Sequence, residues 1–180
     1  YVVSESADAI HLIPALPDRP VVVSPEYPIK LTPGSRALFF VSIPVWVQVK
    51  TGKGAKTALL EIPSRVLSNS WIGDTLIGEV SYALSSRARR RFESEQSIDS
   101  YVLCPVSLHN TGADTIDFQD FSIHAEHLRV YRGKHRLWSS EVRVYYRGVL
   151  QPPVIDYSKK PAYEEECELV SKERVAIDRS

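Results

Sequence analysis

Three histidines lie close together, His124, His127 and His135, and neutral imidazole is a zinc ligand to which Glu126 and Glu141 would add carboxylates. Residues three apart on a strand point to opposite faces, so His124 and His127 converge only if a bulge near His127 turns one of them. Without that bulge they are ordinary surface histidines, which is the favoured reading. Asp114, Asp117 and Asp120, with Glu126 nearby, offer the oxygen ligands that hard cations prefer. The glycine-centred spacing of a calcium loop is missing, and aspartates at strand ends more often bond local backbone. The expectation is therefore no bound metal and no cofactor, with His124 and His127 as the residues to watch.

Trp71, Asp74 and Tyr82, near Ser68 and Ser70, are the residues best placed for a ligand pocket, with Asp74 as its carboxylate. No histidine stands nearby to make a nucleophile and base pair, and Gly-x-Ser-x-Gly is absent, so no catalytic residue is assigned. The ordinary alternative is a turn aspartate capping backbone amides beneath a packed tryptophan.

Arg87, Arg89, Arg90 and Arg91, followed by Phe92, form the sharpest charged segment, and a strand-like alternation would put Arg87, Arg89 and Arg91 on one side. They suit a polyanion or an acidic partner. The acidic run Glu164, Glu165, Glu166 and Glu168, of this chain or a neighbour, is favoured over nucleic acid, because an isolated basic run is usually a solvated loop.

Lys plus Arg and Asp plus Glu are 22 each in 180 residues, so no global field recruits nucleic acid or an anionic membrane. The longest apolar run, Ala37 to Val41, is far too short for a membrane-spanning helix. With no methionine anywhere, the native start is expected upstream of Tyr1, and a cytoplasmic protein is expected. Cys104 and Cys167 form no CxxC pair; a buried free thiol at Cys104 is the ordinary reading and a disulfide the alternative.

The elements that must position these residues read as strands. Six prolines between Pro14 and Pro33 exclude a helix, and Val21 to Val23 reads as a short edge strand. Phe39, Val41, Ile43, Val45, Val47 and Val49 share one face at period two, with a bend or bulge expected at Pro44. Thr57 to Ile62 returns as a strand, and Ser64 to Ile72 reads as a loop that buries Trp71. Val80, Tyr82 and Leu84 face inward, as do Val102, Cys104, Val106 and Leu108. Phe121, Ile123 and Ala125 alternate in one register and Leu128 and Val130 in the other, hence the bulge near His127. Gly133 is a hairpin tip, after which Trp138, Val142, Val144 and Tyr146 face in while Glu141 and Arg143 face out.

Ser68-Asn69-Ser70-Trp71-Ile72-Gly73-Asp74, followed by Gly78-Glu79-Val80-Ser81-Tyr82, resembles DUF432, a domain family of archaea and bacteria with no assigned activity. Pro28 to Gly34 and Ile43-Pro44-Val45-Trp46-Val47 are also similar to that family's opening, and the resemblance spans about Pro20 to Leu150. It implies no catalytic residue, substrate or cofactor.

Strands at short spacing with turn residues between them predict an all-β, antiparallel β-sandwich, Ig-like or jelly-roll-like. The sandwich is expected over residues 18–150 with extended flanks at 1–17 and 151–180, or as subdomains 1–86 and 98–180 divided near 87–97. The leading functional expectation is a non-enzymatic module for protein interaction or assembly, by a protein partner or self-association. A ligand-binding or hydrolytic protein with a pocket near Trp71 and Asp74 is the alternative, and polyanion binding through Arg87 to Arg91 the third.

Overall fold

A computed structural model describes residues 9–52, 57–73, 76–92, 100–148, 150–161 and 166–176. The first strands are β1 (His11–Ala15), β2 (Val21–Val23), β3 (Ile29–Leu31), β4 (Arg36–Pro44) and β5 (Trp46–Thr51). Next come β6 (Thr57–Pro63), β7 (Ser68–Ile72), β8 (Glu79–Ala83), β9 (Tyr101–Asn110) and β10 (Ile116–Phe118). After β11 (Phe121–Ile123) a 3-10 turn, Ala125–His127, leads to β12 (Val130–Arg132), β13 (Leu137–Tyr146), β14 (Val154–Pro161) and β15 (Glu168–Ser171).

The period-two apolar pattern of β4 and β9 builds the inner face of the largest sheet. Phe39, Val41 and Ile43 lie beside Val106, Cys104 and Val102, and all six are essentially sealed from solvent. β13 adds Val142 next to Val106, and β14 adds Tyr157 next to Val142. This sheet runs β15-β12-β13-β9-β4, with β14 also on β13; a four-stranded sheet runs β11-β2-β8-β7. Val21, Val23 and Ile123 of the smaller sheet are 0–1% exposed and join the same core. The remaining strands make a β1-β5-β6 sheet and a β10-β3 pair. The chain is all-β and sandwich-like, with both antiparallel and mixed sheets.

Two pairs, β9 with β13 and β2 with β8, are parallel, which antiparallel alternation did not anticipate. β2 is an interior strand between β11 and β8 rather than an edge, because both edges of its valine triplet find partners distant in sequence. At Pro44 the chain leaves the large sheet for the three-stranded one, where a residue without an N–H ends a ladder at no cost in hydrogen bonds. Core residues come from both sides of the arginine run, and the flanks supply β1, β14 and β15.

Pro105, in mid-strand, faces a bulge: β13 spends one more residue than β9 between the pairs Trp138–Leu103 and Val142–Val106. That extra residue rotates Trp138 away from the Val142 face, correcting the expectation of a common face. Trp138 packs instead with Phe40, Leu103 and Tyr131 in a second cluster. Glu141, expected outside, is 8% exposed; it accepts from Ser107 Oγ at 2.9 Å and from Arg143 at 2.7 Å. Ser68 to Ile72 is a strand and not a loop, Trp71 is half exposed, and Ser81 of β8 is buried while Val80 is exposed. Here β7 and β8 pair at the open end of their sheet, where alternation does not report which face is covered. No helix among the described residues is long and apolar enough to cross a membrane.

Candidate functional site

Residues 70 to 73 of β7 and its turn, the segment Phe118 to Ser122, and Leu108, Val144, Tyr146 and Ile155 of the large sheet enclose a cleft of about 650 Å³. Its walls are mainly apolar and aromatic, and Asp117, Gln119 and Asp120 bring exposed polar groups to it. Asp117 already pairs with Lys30 at 3.4 Å, both well exposed. Asp114 is exposed as well, and no cluster forms from the three aspartates among the described residues. Trp71 lines this cleft. Asp74 lies outside the described residues. Tyr82 sits elsewhere: its hydroxyl donates to Asp18 at 3.0 Å, and its ring meets Trp46 at 5.9 Å and the Arg19 guanidinium at 5.5 Å. Burial, then the bond to Asp18, raises its pKa.

A second cleft, of about 760 Å³, is lined by Arg87, Arg89 and Arg91 together with Arg136 from the β12–β13 hairpin. The alternation has a physical cause. Arg89 exchanges both backbone hydrogen bonds with Phe40, at 2.7 and 3.0 Å, and Ala88, 1% exposed, bridges to Pro25, so the segment is held extended. Arg90 points the other way, with its guanidinium 5.9 Å from the Phe39 ring. Phe40 and Leu103 belong to the floor, and Arg136 lies 4.9 Å over Phe92. Among the described residues the carboxylate in the lining is Glu26, 3.7 Å from Arg89 and partly exposed, a solvated pair.

The third group is the histidine pair. Between β11 and β12 the chain winds one 3-10 turn, which takes up the change of register and buries Ile123, Ala125 and Leu128 alike. That turn does what the bulge was expected to do, and it brings ligand atoms of His124, Glu126 and His127 within 4.8 Å of one another. His124 Nδ1 lies 3.0 Å from Glu126 Oε1 and its Nε2 3.5 Å from Glu79 Oε1. The bond to Glu126, with the charges of Glu126 and Glu79, raises the His124 pKa against the opposing effect of burial. His135 is exposed on the hairpin and takes no part.

The model of the family described as "Protein of unknown function (DUF432)" matches residues 1–180, the whole chain. This chain belongs to the DUF432 family. No curated protein and no solved structure matches it.

Several residues that organise this DUF432 chain carried no local signal. Asn110, 1% exposed, donates to the carbonyls of Leu31 and Asp114 at 2.9 and 2.8 Å and accepts from the Gly112 amide, fixing the loop that begins the cleft wall. Arg174 donates to the Leu16 carbonyl at 2.6 Å and pairs with Glu61, tying the C-terminal segment to the three-stranded sheet. In the sequence Asn110 marks only the turn His109-Asn110-Thr111-Gly112, and nothing there points to its bonds with Leu31 and Asp114 or to the contacts of Arg174. Cys104 and Cys167 are not joined in a disulfide, and burial pushes the Cys104 thiol up to about 12.

Proposed function

We propose that this chain is a non-enzymatic binding module whose ligand, a small amphipathic molecule, seats in the cleft beside Trp71. The observation that carries the reading is the cleft itself: about 650 Å³ of largely apolar, aromatic wall with a few polar groups at one side. Ligand sites commonly have that size and composition. Among the described residues, no serine or cysteine of the cleft is hydrogen-bonded to a histidine or carboxylate, so the arrangement suits binding and supplies no activated nucleophile. Titration with Nile red, an uncharged probe, tests it. One saturable site, abolished by Ser122→Trp at unchanged melting temperature, supports the reading; unsaturable binding, or none, refutes it.

A role in self-association is the second reading, favoured by the arginine-lined cleft. The guanidiniums of Arg87, Arg89 and Arg91, which line one cleft, complement in charge the glutamates at 164 to 168 of a second copy. Cys167, next to that run in sequence, packs on the cluster of Phe40 and Trp138, and Phe40 also lines the arginine cleft. Sedimentation at low and high salt tests it. A salt-sensitive dimer lost in Arg87→Glu/Arg91→Glu supports it, and a monomer at every salt concentration overturns it.

A further inference from the structure

The short turn after β11 holds more unsatisfied donor chemistry than a surface loop needs. Glu126 is mostly buried, and its Oε2 has no hydrogen-bond partner although its Oε1 meets His124. His127 directs Nδ1 at the Val175 carbonyl, 2.9 Å away, which holds the ring in place and leaves Nε2 available. His124 has an equivalent outer partner in Glu79, 3.5 Å from its Nε2, leaving Nδ1 towards Glu126. His127 thus has one nitrogen held by a backbone carbonyl and His124 lies between two carboxylates, with ligand atoms of His124, Glu126 and His127 within 4.8 Å of one another. Metal-binding histidines are oriented in this way, by a carboxylate or backbone carbonyl on the second ring nitrogen.

We propose that His124, Glu126 and His127 bind a divalent transition-metal ion of the zinc class, with Glu79 and the Val175 carbonyl orienting the two imidazoles. The ligand atoms lie within 4.8 Å of one another, and tetrahedral zinc with bonds of about 2.1 Å needs them about 3.4 Å apart, a closure within reach of side-chain rotation. Two imidazoles and a carboxylate select this class over calcium or magnesium, which take oxygen. The backbone supports the turn from below: the Glu126 carbonyl accepts from the amides of Arg174 and Val175 at 2.8 and 3.1 Å. Both arginines beside the site are already matched to carboxylates, Arg129 to Glu173 and Arg174 to Glu61, so the two glutamates at the turn stay available to balance the cation.

The ordinary alternative is a protonated His124 shared between Glu79 and Glu126. It satisfies Glu126 Oε1, leaves Oε2 without a partner, and leaves His127 bonded only through Nδ1, to the Val175 carbonyl. A metal accounts for all three side chains. Three protein ligands also leave a coordination position for water, an arrangement separate from the cleft beside Trp71.

The full chain, stripped with EDTA and titrated with Zn²⁺ and Co²⁺, tests the proposal. The expected result is one ion per chain, visible cobalt absorption of tetrahedral strength, and loss of about 100-fold or more in affinity in His127→Ala and Glu126→Gln. His135→Ala should bind as the wild type does. Nitrogen-15 spectra of the wild-type histidines add a readout that needs no variant: zinc should shift His124 and His127 and leave His11, His109 and His135 in place. Failure of the wild type to take up either ion, undiminished affinity in His127→Ala, or shifts confined to the other histidines would overturn it.

Discussion

The indole of Trp71 lies against the main chain of Gly78 so closely that a side-chain carbon at residue 78 would overlap it and come within 2.6 Å of the Ile72 carbonyl. Glycine at 78 is therefore the condition for the position of Trp71 along the cleft. Gly78→Ala should displace the ring, destabilise the β7–β8 pair by about 1–3 kcal/mol as overpacking does, and weaken Nile red binding. Thermal unfolding and probe titration check both effects. Trp71→Ala should weaken the probe without the steric cost.

Arg174 joins the last segment to β6 through Glu61 and to the loop after β1 through the Leu16 carbonyl, with its guanidinium 5.8 Å from the Trp46 ring. Arg174→Ala leaves the partly buried Glu61 carboxylate with only Gln48 as donor among the described residues, at 3.3 Å, and takes the guanidinium from the Leu16 carbonyl. A loss of about 2 kcal/mol is expected, read as a drop of about 4–8 °C in melting temperature. Glu61→Gln should act in the same direction, and the double variant should fall short of the sum because the two share one interaction.

Arg129 holds Glu173 in a two-pronged pair at 2.6 and 3.0 Å, and that bond lowers the Glu173 carboxyl from 4.5 to about 2. A carboxylate whose folded pKa is depressed contributes stability that is present above its unfolded value, near 4.5, and is lost as pH falls towards 2. Glu173→Gln should be less stable than the wild type at pH 7. The gap should narrow as pH drops through that window. Urea midpoints of the two proteins at neutral pH and at several acidic values measure it.

Cys104 is fully buried, and desolvation raises its thiol to about 12, so almost no thiolate exists at neutral pH. A disulfide-exchange reagent should label native Cys167→Ser protein only on the timescale of unfolding. Denaturant should release one full equivalent. Rapid labelling of that native variant would contradict the burial.

Much of the fold was legible because burial and backbone geometry are periodic. The alternation of Phe39, Val41 and Ile43, the sheet change at Pro44, the hairpin tip at Gly133 and the register change near His127 each follow from a rule acting within a few residues. The failures share a different cause. Trp138 left its expected face because of a bulge opposite Pro105, and Glu141 became buried because Ser107 and Arg143 came to meet it. Pro105 and Ser107 both belong to β9, which is not visible from the sequence of β13.

The candidate sites divide in the same way. Arg87, Arg89 and Arg91 could be assigned to one side from alternation alone, but Arg136 joins them only through the packing of a hairpin from much later in the chain. His124, Glu126 and His127 depended on whether the chain turned or stayed extended, and a register conflict cannot say which. By itself, then, the sequence determined residue type, face and the places where strands must break, because those are local consequences of side-chain period and of proline and glycine stereochemistry. Only the tertiary structure decided which strands lie parallel, which polar groups meet and where the clefts open, because those contacts join segments distant in sequence through cooperative packing.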